Sequence, residues 1–499
     1  MKTLHTKYND YGHRKIRSFS LFQIFILSCL TLVFPSGCKK FLVIPPPANQ
    51  LVTASALSNN ATATSAVTVI YTQMFALTES PSMAWNTGLL GDEFTGYSSA
   101  GNNFQEYKNA MVATTKYGPW SEAYNWIYQA NAIISGLQTT VGCSPAVKQQ
   151  LTGEAYFIRA FWHFYQSNCY GDVPVSLTTD YTVTSRLTRS PRIQVLKQVI
   201  SDLTTAQTLL SNNYVDISDT ITTTEKVRPT KAAATALLAR AYLYLANYSK
   251  DNSQYINAEV QSTAVINNSV YSLSPLTGAN EVFTKNSSEA IWQLQTPLPA
   301  TQATWDGYDF ILLGVPGGAA SVSISPQLLA AFEPNDQRKV NWINSIVAGG
   351  TTYYYPFKYK VQSVASTTSL ASIAEYTMVL RLAEQFLIRA EAEVNDGKLS
   401  NAIADLNVIR TRAGLPNYAG ATDATSLLAA ILHERQIELF SEWGHRWFDL
   451  QRTGNCNSVM SIVAPAKGTT WNTDGHQQLM PIPITDITAN PNLTQNVGY

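Results

Sequence analysis

The sequence predicts a mostly α fold of paired helices, interrupted by one loop-rich insertion with short strands. Three observations predict it. Apolar residues recur at helical spacing over long stretches. An Arg-Ala pair recurs inside three of those stretches, as Arg159-Ala160, Arg240-Ala241 and Arg389-Ala390. Between the second and third pairs, residues 271–377 are rich in prolines, glycines and β-prone runs.

The chain opens with a basic segment (Lys2, Lys7, Arg14, Lys15 and Arg17 against one acid, Asp10), then an apolar run from Phe19 to Pro35. A basic region, an apolar region and small residues before a cut site are the pattern of a secretory signal. The run is broken by Ser20, Gln23, Ser28 and Pro35, and a spanning helix needs about 20 apolar residues. It ends on Ser36-Gly37-Cys38, which resembles a bacterial lipobox, with Pro35 standing where that pattern usually carries an aliphatic residue. Residues 1–37 are therefore expected to be a lipoprotein signal peptide, with Cys38 as the lipidated residue. Residues 38–60 follow as a Pro-rich tether, extended because proline disfavours helix. A plain secretory signal with an incidental cysteine is the alternative.

The body is expected over residues 61–499, with helical repeats within 61–270 and 378–452. Residues 61–77 and 117–137 carry apolar residues at helical spacing, the second with Trp120, Tyr124, Ile127 and Ile133. The three Arg-Ala helices each precede a second helical stretch, at 193–210, 255–266 and 401–413. Alanine at such a place lets a neighbouring helix approach closely. Two helices per unit with small residues at the contact resemble degenerate tetratricopeptide units. Residues 351–355 read as a strand inside the insertion, and residues 453–499 read as a loop-rich tail.

Charged residues make up 14% of the chain, with 34 basic and 34 acidic side chains, so the net charge is zero. No basic footprint for nucleic acid is present. The low charge and abundant polar and aromatic residues suit an extracellular protein. Five cysteines, two of them at Cys29 and Cys38, are too few for a disulfide framework, although Cys143 and Cys169 are near enough in sequence to pair. His433-Glu434 begins like a zinc motif, but Ile437 stands where the second histidine belongs. Phosphate loops and nucleophile elbows are absent from the sequence. Asp92-Glu93 are adjacent carboxylates in an expected loop; adjacency does not supply the separation a glycosidase needs. Glu434, Glu438 and Glu442 share one helical face beside Arg435, Arg446, Asp449 and Arg452, which reads as an ion-pair network tying a helix to its loop. No catalytic residue, metal ligand or cofactor is assigned.

That stretch, ERQIELFSEWGHRWFDLQR, together with Arg410-Thr411-Arg412-Ala413-Gly414-Leu415, the ending Leu479-Met480-Pro481-Ile482-Pro483, the Trp120 helix and Cys38-Lys39-Lys40-Phe41-Leu42, resembles the SusD/RagB family. One departure is Val43, where an acidic residue is common. The resemblance spans essentially the whole mature chain. It implies four tetratricopeptide-like helix pairs supporting a loop-rich region. It implies a lipid-anchored protein on the outer face of the outer membrane, acting as a binding subunit on a SusC-like TonB-dependent transporter. The usual ligand class is glycan; a peptide-binding member is the alternative, and a secreted glycoside hydrolase a weaker one.

A sugar site needs exposed flat aromatics for C–H faces and polar neighbours for hydroxyls. Two stretches in expected loops offer them, 85–97 and 305–309. Trp85, Tyr97, Trp305 and Tyr308 are the candidate stacking platforms, with Asn86, Asp92 and Asp306 as hydrogen-bonding partners. Tyr353-Tyr354-Tyr355 ranks lower, because strand alternation buries some of the three. Trp120, Trp126, Trp162, Trp443 and Trp447 are expected to be structural.

Overall fold

The recurring Arg-Ala pairs have a common physical basis. In a computed structural model, which describes residues 56–77, 79–278, 280–317 and 322–499, each alanine is fully buried at a helix contact and each arginine grips a carboxylate on another helix. Arg159 holds Asp202 at 2.7 Å, Arg240 holds Glu384 at 2.6 Å and Arg389 holds Asp405 at 2.6 Å. The alanine permits the approach that brings the charges into reach.

The first helix, α1 (Asn60–Ala76), starts where the Asn59 side chain accepts the Thr62 N–H. Then come α2 (Glu79–Leu90), β1 (Phe94–Gly96), α3 (Gly101–Tyr107), α4 (Trp120–Thr139) and α5 (Pro145–Tyr170). The array continues with α6 (Arg192–Leu209), α7 (Lys231–Ser249) and α8 (Ser253–Ile266), and resumes after the insertion with α10 (Leu382–Asn395), α11 (Leu399–Arg412) and α12 (Ala424–Glu438). From α4 to α8 each helix packs on its successor, and α8 packs on α10, which packs on α11. The expected pairing of 154–165 with 193–210, 233–244 with 255–266, and 383–394 with 401–413 is thus the packing observed. The central core lies under α5 and α7, where Trp126, Trp162, Phe161 and Trp292 meet.

The insertion holds β2 (Ala290–Leu294), α9 (Trp305–Phe310), β3 (Val322–Ile324), β4 (Ile343–Ala348), β5 (Thr351–Pro356) and β6 (Thr377–Arg381). These form three two-stranded antiparallel sheets, β1 with β3, β2 with β6 and β4 with β5. The β4–β5 hairpin turns on Gly349 and Gly350, both at positive φ (58° and 77°), which only glycine adopts freely. Pairing of Phe94 with Ile324 joins the N-terminal region to the insertion.

Two helices depart from expectation. Residues 85–90 belong to α2 rather than to a loop. Pro81 lies in its first turn, where proline is tolerated, and Gly88 is required because a Cβ there would sit 2.4 Å from the Phe94 ring. The tail carries α14 (Cys456–Ala466) after α13 (His445–Thr453). Cys143 and Cys456 are buried free thiols and Cys169 is buried, so Cys143 and Cys169 do not pair. Among the described residues no helix is long and apolar enough to cross a membrane. The signal segment, Cys38 and most of the tether lie outside the described residues.

Candidate ligand-binding site

The structure divides the sequence candidates into buried and reachable groups. Trp85 is in the first. It is 7% exposed, and its ring stacks on Phe310 at 5.7 Å within a cluster that includes Phe94 and Val322. Its burial comes from α9, which packs on α2. Asp92 is buried and bound by Arg446 through two hydrogen bonds of 2.9 and 2.6 Å. Asp306 is buried, accepts the Ser80 hydroxyl at 2.9 Å, and is pushed up to about 7 by burial. These three side chains are corrected from ligand contacts to packing and pairing roles. Asn86 is half-buried, with its amide nitrogen 3.3 Å from both Glu106 Oε2 and Ser82 O, and lines a small cavity of about 270 Å³ beside Asn102 and Lys116.

The reachable group is tyrosine. Tyr97 follows β1 and is 38% exposed, held by a 2.9 Å hydrogen bond between its hydroxyl and that of Ser323. Its ring meets Tyr353 edge-on at 5.6 Å. Tyr354 is 40% exposed, while Tyr355 turns inward against Ile311 and Leu312. Those two residues directly follow α9, which carries Tyr308, also 40% exposed, with its ring edge-on to the half-buried Trp305 at 5.4 Å. Thr304 caps α9 by accepting the Gly307 N–H. Continuous packing therefore links Tyr97, the β4–β5 hairpin and Tyr308. A shallow pocket of about 200 Å³ lies beside Tyr308, lined also by Asp309, Leu313, Val315 and Gln362. Burial pushes Asp309 up to about 6.

Strand alternation does bury one of the three consecutive tyrosines. It leaves Tyr354 exposed and Tyr353 half-exposed, so the hairpin contributes to this surface more than the sequence ranking gave it. The Gly349-Gly350 turn was the available signal.

A larger cavity, about 900 Å³, lies elsewhere, among the loops around Asn213, Thr223, Asn286 and Ser372. Its one aromatic wall, Tyr214, is 6% exposed. It offers no flat apolar platform for a sugar face.

The acidic row does form an ion-pair network, but its partners come from farther away than the flanking arginines. Glu434 pairs with Arg338, Glu438 with Arg338, Arg381 and Arg412, and Glu442 with Arg381 and Lys358. Burial alone would raise Glu438, yet the guanidiniums of Arg412, Arg381 and Arg338 hold it well below the usual carboxylate range. The flanking arginines look the other way. Arg435 and Arg452 hold Asp449, and Arg446 holds Asp92. Glu93, beside Asp92, is buried, accepts the Ser441 N–H at 3.3 Å and is pushed up to about 8, by burial first and by the Asp92 charge second. These carboxylates are consumed by structure. Among the described residues no group of three or more His, Cys, Asp or Glu side chains converges as a metal site would.

A helical-repeat scaffold that carries tyrosines on a loop-and-hairpin insertion, with its interior carboxylates locked to arginines, defines a class of binding protein. The chain belongs to the SusD family, whose model matches residues 335–499, while a related model described as starch-binding and associating with outer membrane matches residues 50–243. A SusD-like protein of Formosa agariphila is 25% identical over 441 residues, covering 78% of this chain and 80% of that one. The starch-binding protein SusD of Bacteroides thetaiotaomicron is 31% identical over 123 residues, covering 24% and 21%. Among solved structures, the surface glycan-binding protein A of Bacteroides fluxus superposes with a TM-score of 0.71 at 21% identity, covering 89% of this chain and 100% of that one. That likeness shows the shared fold.

Proposed function

We propose that this protein is a surface-exposed, glycan-binding lipoprotein. Its lipid anchor is Cys38, it sits on the outer membrane facing outward, and it delivers captured oligosaccharide or polysaccharide to a SusC-like TonB-dependent transporter. The observation that carries the glycan reading is the set of half-exposed tyrosines, Tyr97, Tyr308, Tyr353 and Tyr354, on elements packed against one another. Such rings cover sugar C–H faces, and Gln362 and Asp309 stand close by for hydroxyls. Trp305 supports Tyr308 from beneath rather than offering its own face. Two relatives whose names specify starch or surface glycan support the same reading. Nothing in the site calls for bond cleavage, so capture without hydrolysis is the activity proposed.

Affinity electrophoresis through neutral and acidic polysaccharides tests it. Retardation by at least one polysaccharide, weakened in a Tyr97→Ala/Tyr308→Ala variant, is the expected result. No retardation by any of them counts against glycan capture. Membrane fractionation of cells carrying Cys38→Ala tests the anchor, which predicts release of the variant from the membrane.

A further inference from the structure

Two kinds of wall meet in the shallow pocket beside Tyr308. One is apolar. Leu313 and Val315 line it from the loop that follows α9, and they are 75% and 59% exposed. Their neighbours hold them there. Ile311 and Leu312 turn inward against Tyr355, and Val315 stands close to the β4–β5 turn, where a Cβ on Gly349 would lie 3.7 Å from Val315 Cγ2. Single exposed aliphatics are ordinary. These two share one concavity.

The other wall is polar. Asp309 is half-buried and lines the pocket. The interior carboxylates described above are tied to arginines. Among the described residues Asp309 has neither a hydrogen-bond donor nor a cation within ion-pair distance, and burial is the one influence that moves its titration, up to about 6. It is therefore charged at neutral pH and open to a ligand. Gln362 stands beside it, its amide nitrogen reaching Tyr308 O at only 3.5 Å, which leaves the second amide hydrogen uncommitted.

Size and chemistry together narrow the occupant. At about 200 Å³ the pocket is smaller than the roughly 300–1,000 Å³ that encloses a whole small ligand. It takes a substituent, and the rest of the ligand lies outside it across Tyr308. A carboxylate only accepts, so the substituent must bring Asp309 a hydrogen and also offer Leu313 and Val315 an apolar end. A hydroxyl has the hydrogen without the apolar end. An ester methyl or a deoxy carbon has the apolar end without the hydrogen. An ammonium gives hydrogens but loses hydration against two aliphatic side chains. An acetamido group meets both demands, and its carbonyl oxygen can accept from Gln362.

We infer that this pocket is an acetamido subsite, which selects glycans containing N-acetylhexosamine. The acetamido N–H donates to Asp309, the methyl lies against Leu313 and Val315, and the sugar ring covers Tyr308. The inference rests on the glycan reading above and narrows it to one class of sugar.

Calorimetry of the full chain in detergent tests this. Trisaccharides of N-acetylglucosamine and of N-acetylgalactosamine are each compared with their de-N-acetylated and plain hexose counterparts. At least one N-acetylated sugar is expected to bind about tenfold more tightly than both of its counterparts, from one buried methyl and one hydrogen bond to a charged acceptor. Leu313→Ser/Val315→Ser changes exposed positions and so should fold normally, yet it should cut that preference to about threefold. Asp309→Leu should abolish the preference, while Asp309→Asn, whose amide oxygen still accepts, should keep most of it. Equal or tighter binding of either counterpart overturns the inference, as does a preference unaltered by Leu313→Ser/Val315→Ser or by Asp309→Leu. If other polysaccharides retard the chain in electrophoresis while neither N-acetylated sugar binds, the inference falls and the glycan reading stands. If no saccharide of any kind binds, the glycan reading falls with it.

Discussion

Asp92 and Arg446 lie at opposite ends of the chain, yet two hydrogen bonds of 2.9 and 2.6 Å join them in a buried pair. Gln436 adds a longer contact to Asp92 Oδ2. The pair closes the α2–β1 turn onto α13. Replacing Arg446 with alanine leaves Asp92 buried beside Glu93 without its counter-charge. Breaking such a pair costs about 3 kcal/mol or more. Urea denaturation should show that loss, and near-wild-type stability for Arg446→Ala would contradict the role assigned here.

Arg381 is the more sensitive centre. It bonds Glu289, Glu438 and Glu442 at once, with distances between 2.6 and 2.9 Å. Arg381→Met removes one counter-charge from each of three buried carboxylates, leaving Glu438 to Arg338 and Arg412, Glu289 to Arg412 and Glu442 to Lys358, and is expected to lower the recovery of folded protein at neutral pH. A well-folded Arg381→Met chain with an unchanged circular dichroism spectrum and melting temperature would show that the network is dispensable.

Exposure separates binding from folding at the tyrosines. Tyr97 and Tyr308 are partly solvent-facing, so Tyr308→Ala should change stability by less than about 1 kcal/mol. Its glycan affinity should fall by about tenfold, consistent with loss of an aromatic contact worth about 1 kcal/mol plus buried area. Trp85→Ala should show the reverse. It opens a cavity against Phe310 and costs about 3 kcal/mol of stability. Thermal melts alongside binding measurements distinguish the two classes.

Glu106 provides a pH test with a simple cause. It is fully buried, and burial alone pushes it up to about 8 from an ordinary value of 4.5. The folded chain therefore keeps a proton that the unfolded chain releases. This contribution to stability is complete below pH 4.5 and is lost as pH rises to 8, at up to about 1.4 kcal/mol per pH unit. Glu106→Gln removes the term, so the variant should gain on wild type steadily between those limits and level off above. A pH-independent difference would show that Glu106 is ionised in the folded state.

Thiol titration checks the cysteines. Cys143 and Cys456 are buried and free. In native protein both should react slowly with a thiol reagent, and denatured protein without reductant should expose them.

Most of the scaffold could be read from periodicity, because the helices bury continuous faces. Residues 61–77 read as a helix and form Asn60–Ala76; residues 401–413 read as a helix and form Leu399–Arg412. The α2 helix was hidden by Gly88, whose missing side chain answers to Phe94 rather than to a turn. The site was less legible for a related reason. Trp85 looks like a loop aromatic until Phe310 covers it, and nothing near Trp85 in sequence announces that partner. Tyr97 and Tyr308 were recognisable as aromatic candidates, but their exposure depends on how the insertion lies against α2. The ion pairs were visible as a row of acids, and their true partners were not, since Arg338 comes from a distant short helix and Arg381 from the end of β6.

The same long-range pairing imposes a timetable on the growing polypeptide. Arg240, Arg338 and Arg381 are synthesised before Glu384, Glu434, Glu438 and Glu442, which neutralise them. Until those glutamates arrive, closing the interior would strand Arg240 without a carboxylate, at a cost of several kcal/mol, and leave Arg338 and Arg381 with Asp336 and Glu289 alone. The first four hundred or so residues are thereby discouraged from compacting early. A late-arriving latch of this kind keeps the thread open until the whole of it is ready to close.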